Sequence, residues 1–291
     1  MRSESSEMFE KVLNRDDLRP LDRELYSEVH SLVEDEQAPF ERLDYSWSKV
    51  NEASFDLIEK DLLQSPLLHN CHLKDLGLKG TQLRHLDFRE SLFEACHFHN
   101  VDFDLCVLES VQFKNCRFDN CRFELRERDL IKFNECTFYH VSLKGDPEPL
   151  KAGRYRDIRN MARQLRGDRL RNDGYGETIP IYTGIELQGC KGLRFEISTK
   201  FLLGGLKVYS SALDDLVLDE VGIGLLDIVD TQFQDSKIVD SFIDTLEISK
   251  DTLQGVSITE TTMDRSGWDI QVRHVVEQNG ATIIRSESDA L

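Results

Sequence analysis

Nowhere in this sequence does an apolar run approach the roughly eighteen residues that a membrane-spanning helix needs. The N-terminal stretch MRSESSEMFEKVL lacks the apolar core of a secretory signal, so export by that route is not expected. Also missing are GxSxG, HExxH, the Walker phosphate loop and the dinucleotide fingerprint, which removes the signatures of the common hydrolase, zinc-protease and nucleotide sites. No catalytic, cofactor-binding or metal-ligating residue is assigned, and catalysis is not expected. Bases are scarce as well: 36 Lys and Arg stand against 54 Asp and Glu, a formal charge of −18. The shortage is sharpest over residues 201–264, which hold 13 acids and 3 bases. Such a surface repels nucleic acid and attracts a basic partner. The plainer account is a solvated face that confers solubility.

What is present is a period. Stepping by five from Leu68 gives Leu73, Leu78, Leu83, Phe88, Phe93, Phe98, Phe103, Leu108, Phe113, Phe118, Phe123, Arg128, Phe133, Phe138 and Leu143. Fifteen of these sixteen positions are Leu or Phe, where composition alone would place about three. Two residues before each centre runs a smaller series that includes Cys71, Cys96, Val101, Cys106, Val111, Cys116, Cys121, Cys136 and Val141. A step of five matches neither a helix nor a simple strand. It fits a coil that turns a corner every five residues, four faces to a twenty-residue turn, with both series pointing inward. A second block repeats the rule from Leu203 through Val208, Leu213, Leu218, Ile223, Ile228, Phe233, Ile238, Ile243, Ile248, Leu253 and Ile258 to Met263. Shorter pieces centre on Phe40, Tyr45, Val50 and Phe55, and weaker ones on Ile185, Cys190 and Phe195, with a shift of phase before Leu203.

This pattern resembles the pentapeptide-repeat family, whose unit is a small residue, Asn or Asp, Leu or Phe, then two variable residues. The resemblance covers residues 38–57, 66–145 and about 183–265. It implies an all-β solenoid, a right-handed quadrilateral β-helix. The Ile and Val centres of the second block depart from the family's usual Leu and Phe. Family members with known roles include quinolone-resistance and topoisomerase-interacting proteins, whose negatively charged rod resembles duplex DNA. The resemblance therefore implies a non-enzymatic, protein-binding role, with an acidic DNA mimic acting on a topoisomerase such as DNA gyrase as its sharpest form.

Caps and interruptions divide the chain into five parts. Residues 1–37 form an N-terminal helical cap, where Leu21, Leu25, Val29 and Leu32 make one apolar stripe. Residues 38–145 are the first repeat block, from which 58–65 reads as an extruded loop. Within it Arg126 and Arg128 fall on inward positions, so a bulge carrying them outward is predicted. Residues 146–182 are a basic helical insertion bearing Arg154, Arg156, Arg159, Arg163 and Arg166. Residues 183–265 are the acidic second block, and 266–291 a hairpin cap and tail turning at Asn279-Gly280. Either cap covers an open coil edge or supplies a homodimer contact.

Six of the seven cysteines occupy the small inward slot, at spacings that are multiples of five. They read as buried, reduced thiols of a cytoplasmic protein rather than zinc ligands or disulfides. Six of eight histidines (His69, His72, His85, His97, His99 and His140) sit on outward slots spread over several faces. The expected partner-binding residues are acidic, namely Asp214, Asp215, Asp219, Asp227, Asp230, Asp235, Asp240 and Asp244, together with the five insertion arginines. The expected partner is a protein. Direct nucleic-acid binding through the insertion is the weaker reading, because few aromatics accompany the arginines and the surrounding field is negative. A scaffold or adaptor docking through its caps and insertion is the alternative.

Overall fold

The computed structural model describes residues 18–33, 42–126, 129–145, 183–198, 202–248, 255–264 and 282–284. It divides into two compact units, Met1–Thr137 and Phe138–Leu291. Both are parallel β-solenoids.

The five-residue step has a backbone cause. Two positions after each centre the chain enters the left-handed region, with φ of 53° at Asn70, 56° at Asp75, 64° at Gly80 and 57° at His85. The same conformation recurs at Glu90, Ala95, Asn100, Leu105, Ser110, Asn115 and Asn120. One such residue stops an extended segment before it lengthens and turns the chain through a corner. Asn, Asp, His and Gly accept that conformation most readily, which explains the polar residues at most of these positions.

In the first unit, coils stack by parallel pairing at a step of twenty. Leu73 pairs with Phe93, Phe93 with Phe113 and Phe113 with Phe133. On the next face Leu78 pairs with Phe98 and Phe98 with Phe118. On the third Leu83 pairs with Phe103 and Phe103 with Phe123. The fourth face is reduced to isolated bridges joining Leu67, Asp87 and Val107. Stacked rings fill the shaft: centroids lie 4.8 Å apart for Phe93 and Phe113, 5.0 Å for Phe98 and Phe118, and 4.4 Å for Phe103 and Phe123. Neighbouring columns meet edge to face, as Phe113 does on Phe118 at 81°. Phe138, the next residue of the Phe98 series, belongs to the second unit, where it is buried 4.8 Å from Phe195.

The small slot has its own chemistry. The thiols of Cys96, Cys106, Cys116, Cys121 and Cys136 each reach a carbonyl two residues back and another twenty-three back, as Cys116 does with Lys114 and Phe93 at 3.4 Å each. Serine and threonine serve the same role in the second unit, where Thr231 donates to the carbonyls of Val229 and Val208. A short polar side chain thus satisfies carbonyl groups inside the shaft. All seven cysteines are buried, and none forms a disulfide.

The regular coil hydrogen bonding breaks between Arg126 and Asp129, where the Asp129 N–H donates to the Arg126 carbonyl at 3.3 Å. In earlier coils Leu68 and Phe88 donate their backbone N–H to the carbonyls of Asp87 and Val107. Leu108 instead donates to the Asp129 carboxylate at 2.9 Å, and the Arg126 N–H donates to the same carboxylate at 2.7 Å. Asp129 is buried, so its side chain substitutes for a missing backbone acceptor. Arg126 is half-buried, and Arg128 lies outside the described residues.

At the N-terminus, strand β1 (Arg19–Pro20) pairs in parallel with strand β2 (Ser48–Asn51), and helix α1 (Arg23–Val33) follows β1. Leu21, Leu25 and Val29 are buried as predicted, but Leu32 is 64% exposed and leaves the stripe. Helix α2 (Glu52–Ile58) begins at an Asn51–Ser54 capping box. It runs into a 3₁₀ helix, Glu59–Gln64, where a loop was expected. Phe55 is therefore buried on a helix and not on a coil face. The helices lengthen this coil, so Val50 pairs with Leu73, twenty-three residues on.

The described residues of the second unit contain a register slip. Leu187 pairs with Val208 and Ile197 with Leu218, a step of twenty-one, whereas Leu203 pairs with Ile223 at twenty. The centres are hence Leu187, Gly192 and Ile197, while Ile185, Cys190 and Phe195 occupy the slot two before. Gly192 takes a centre because a Cβ there would lie 3.0 Å from the Phe138 Cβ. Further on, Leu206, Leu226 and Leu246 align at twenty, as do Leu218, Ile238 and Ile258. The strand Thr282–Ile284 pairs in parallel with Thr262–Asp264, again twenty residues on. The turn and first strand of the expected hairpin lie outside the described residues, as does the whole arginine-rich insertion.

Candidate functional site

The most strongly charged described surface is built on the corners of the second unit. Ser210 and Asp230 share one corner, with φ of 48° each. Asp215 and Asp235 share the next, at 56° and 51°. Glu220, Asp240 and Glu260 form the third, at 52°, 47° and 51°. The pairings of Asp214 with Gln234, Asp219 with Val239 and Val239 with Thr259 fix these stacks. The face between the second and third corners carries Asp219 and Lys237 outward. Burial pushes the Asp219 carboxyl above its ordinary value, and Glu220, Asp240 and Glu196 push it further in the same direction.

Asp214, Asp215, Asp219, Asp235 and Asp240 are thus brought to neighbouring faces and corners. Asp230 lies one corner away. Asp227 does not belong with them. It stands in a column between Lys207 and Glu247, and its carboxylate accepts a hydrogen bond from the Tyr209 hydroxyl. Burial, and after it that contact, holds the Tyr209 phenol above its ordinary value, so Asp227 has a local structural partner. Asp244 lies in the strand Phe242–Ile248, with its side chain outside the described residues. Arg154, Arg156, Arg159, Arg163 and Arg166 lie outside them as well. Glu220 and Glu260 were missed among the expected acids, although five-residue steps from Asp215 reach both.

The first unit presents a different polar surface, neutralised across coils. Arg84 reaches Asp104 at 2.8 Å, and Asp119 receives Arg117 at 2.9 Å and His97 at 2.7 Å. His69 meets Asp87 at 2.8 Å and His72 meets Glu94 at 3.0 Å. These three histidines, on the outward slots expected of them, pair with carboxylates. Among the described residues no group of His, Cys, Asp and Glu could hold a metal ion. No described helix is long and apolar enough to cross a membrane.

The family "Pentapeptide repeats" matches residues 87–124 in eight copies, the coils with the stacked phenylalanines. That segment matches the pentapeptide-repeat family, and the described residues of both units form parallel β-solenoids. Among solved structures it is similar to full-length QnrB1, a plasmid-mediated fluoroquinolone resistance protein. That match has 12% identity, covers 85% of this chain and 93% of that one, and has a TM-score of 0.25. A trypsin-treated form of QnrB1 matches at 14% identity over 75% of this chain and 93% of that one, with a TM-score of 0.29. Likeness at this level carries no functional argument. No curated protein matches the sequence.

Proposed function

We propose that this is a non-enzymatic protein-binding protein whose second unit offers an acidic face to a basic protein surface that ordinarily takes DNA, as in a topoisomerase such as DNA gyrase. The observation that supports it is the spacing of charge. Across three coils, Asp215, Asp219, Glu220, Asp235, Asp240 and Glu260 stand against Lys237. Coils about 4.8 Å apart put this net charge at about one per 3 Å of axis. Duplex DNA carries about one per 1.7 Å. The density is within a factor of two. Seven buried cysteines, none of them in a disulfide, favour a reducing compartment, the cytoplasm, as the place where this happens.

The test is competition. The protein should displace labelled duplex DNA from DNA gyrase, with an effect that weakens steeply with salt. Replacing Asp215, Asp235 and Asp240 by Asn removes charge while keeping a residue suited to positive φ, and should abolish displacement without unfolding the coil. Lysine at Asp227, Asp230 and Asp240 would be a poorer test, because it disturbs the Tyr209 contact and two corners. Unchanged displacement by the triple Asn variant would refute this surface. Stable capture of one partner, indifferent to DNA, would favour an adaptor.

A further inference from the structure

We propose that one outer face of the second unit is a docking surface whose occupant is the chain's own insertion, residues 146–182. The face is centred on Leu203, Ile223 and Ile243, which pair from coil to coil at a step of twenty. Beside those inward residues, alternation along the strand turns Gly204, Gly222, Gly224 and Phe242 outward. On the other faces such outward residues meet solvent, as Gln232, Gln234, Lys237, Ser257 and Thr259 do. Here all four are buried, and Phe242 is 2% exposed. Gly222 pairs with Phe242, and at Gly224 even a Cβ would lie 2.9 Å from the Gly204 carbonyl oxygen. The surface is a floor of bare backbone with one aromatic ring on it.

A buried ring on an outer face needs a layer of chain above it. Among the described residues the second unit consists of coil strands and their corners, and a strand cannot lie over the outer side of its own coil. The cover must come from elsewhere in the chain, and both ends of the insertion open onto this face. Gly145 stands two positions after the centre Leu143, where a coil turns toward its next face. At the other end the Thr183 carbonyl accepts the Gly204 N–H at 2.8 Å. The insertion and this face also belong to one compact unit, Phe138–Leu291. Residues 265–281 are less well placed. They join Thr262–Asp264 to Thr282–Ile284, which pair twenty residues apart, the length of one ordinary coil.

The insertion's sequence suits both parts of the surface. Tyr155, Ile158, Met161, Ala162 and Leu165 recur at three- and four-residue spacing, the pattern of a segment with one apolar side. Arginines from Arg154 to Arg166 are interspersed with that series, and the corner bordering the face bears Glu220, Asp240 and Glu260. An apolar strip flanked by cations thus meets an apolar floor flanked by carboxylates, and opposite charge at the rim fixes the register. The insertion is an intramolecular partner of the second unit, whatever else the acidic corner binds.

Photo-cross-linking of the full chain tests this, with p-benzoylphenylalanine in place of Phe242. Irradiation should join that position to a peptide from residues 146–182 of the same chain, at monomer mass. A cross-link to residues 265–281, to any other segment or to a second copy overturns the assignment, as does none at all. Ile158→Asp with Leu165→Asp alters no coil residue and should abolish the cross-link; an unchanged yield refutes the apolar contact. If the probe variant does not fold, hydrogen exchange decides. Amides of residues 155–165 in the wild type should exchange at least about tenfold more slowly than their intrinsic rate, and the double Asp variant should lose that protection. Exchange at the intrinsic rate in the wild type, or protection that survives both substitutions, refutes the proposal.

Discussion

Asp129 gives the most direct test of how the first unit tolerates its bulge. Its carboxylate accepts from the backbone of Leu108 and Arg126, where a regular coil would supply a backbone carbonyl. Burial raises its pKa from the ordinary 3.8 to about 6, even though both hydrogen bonds act to lower it. The acid therefore binds its proton more tightly folded than unfolded, so its ionisation costs stability as pH rises from about 4 to 6. A rise of about 2.2 units corresponds to an upper bound on the order of 3 kcal/mol. Asp129→Asn removes the charge and keeps one acceptor oxygen, leaving one backbone donor unmet at a cost of about 1–3 kcal/mol. At pH 4 the wild type should thus be the more stable by about that amount. Toward pH 7 the gap should close or reverse, by up to about 3 kcal/mol. Paired urea melts at half-unit pH steps measure the difference directly. A gap constant to within about 0.5 kcal/mol between pH 4 and 7 would falsify the assignment of this buried charge.

Two further outcomes follow from the core. Phe118 is wholly buried, stacked on Phe98 and edge-on to Phe113, Phe123 and Phe133, so Phe118→Ala should cost about 3–5 kcal/mol in a denaturant melt; a loss under about 1 kcal/mol would mean that the coils close over the gap. Burial pushes the thiols of Cys71 and Cys121 up to about 11 and that of Cys106 up to about 12, so a thiol reagent at neutral pH should label these residues only as fast as the protein unfolds.

The repeat was legible because one backbone event recurs every five residues and leaves a Leu or Phe each time. Where that event fails, the letters mislead. Phe55 keeps the step from Val50, yet it lies on helix α2, because Asn51 and Ser54 cap a helix start; the spacing of Phe55 and Ile58 fits that reading equally well. Around Cys190 the hydrophobic series reads one slot off. The extra residue sits between Ile197 and Leu203, and Gly192 at a centre offers no apolar side chain to mark the phase. Leu32 matched the stripe of α1 by spacing, but burial depends on what lies opposite, which periodicity does not encode. The role of Asp129 was out of reach, since it depends on which backbone donors the bulge orphans.

The acidic surface raises the question of whether its aspartates answer to the backbone or to a partner. A positive-φ corner favours Asn and Asp alike, and the first unit uses Asn70, Asn100, Asn115 and Asn120 at such corners, mixed with Asp75, Glu90 and Glu135. Over the described corners from Arg194 to Glu260, six of the eight non-glycine residues at positive φ are acidic and none is Asn. Backbone preference accounts for Asp215, Asp230, Asp235 and Asp240, but not for choosing them over Asn. It accounts still less for Glu220 and Glu260, whose side chain has no special affinity for that conformation. Electrostatics within the unit runs against the choice, since Glu220 and Asp240 both disfavour the charged form of Asp219. Conformation therefore explains where these residues sit, and repulsion shows that carrying charge there is not free. The basic partner proposed above would supply a demand for negative charge at this spacing, which neither the conformation nor the unit's own electrostatics supplies.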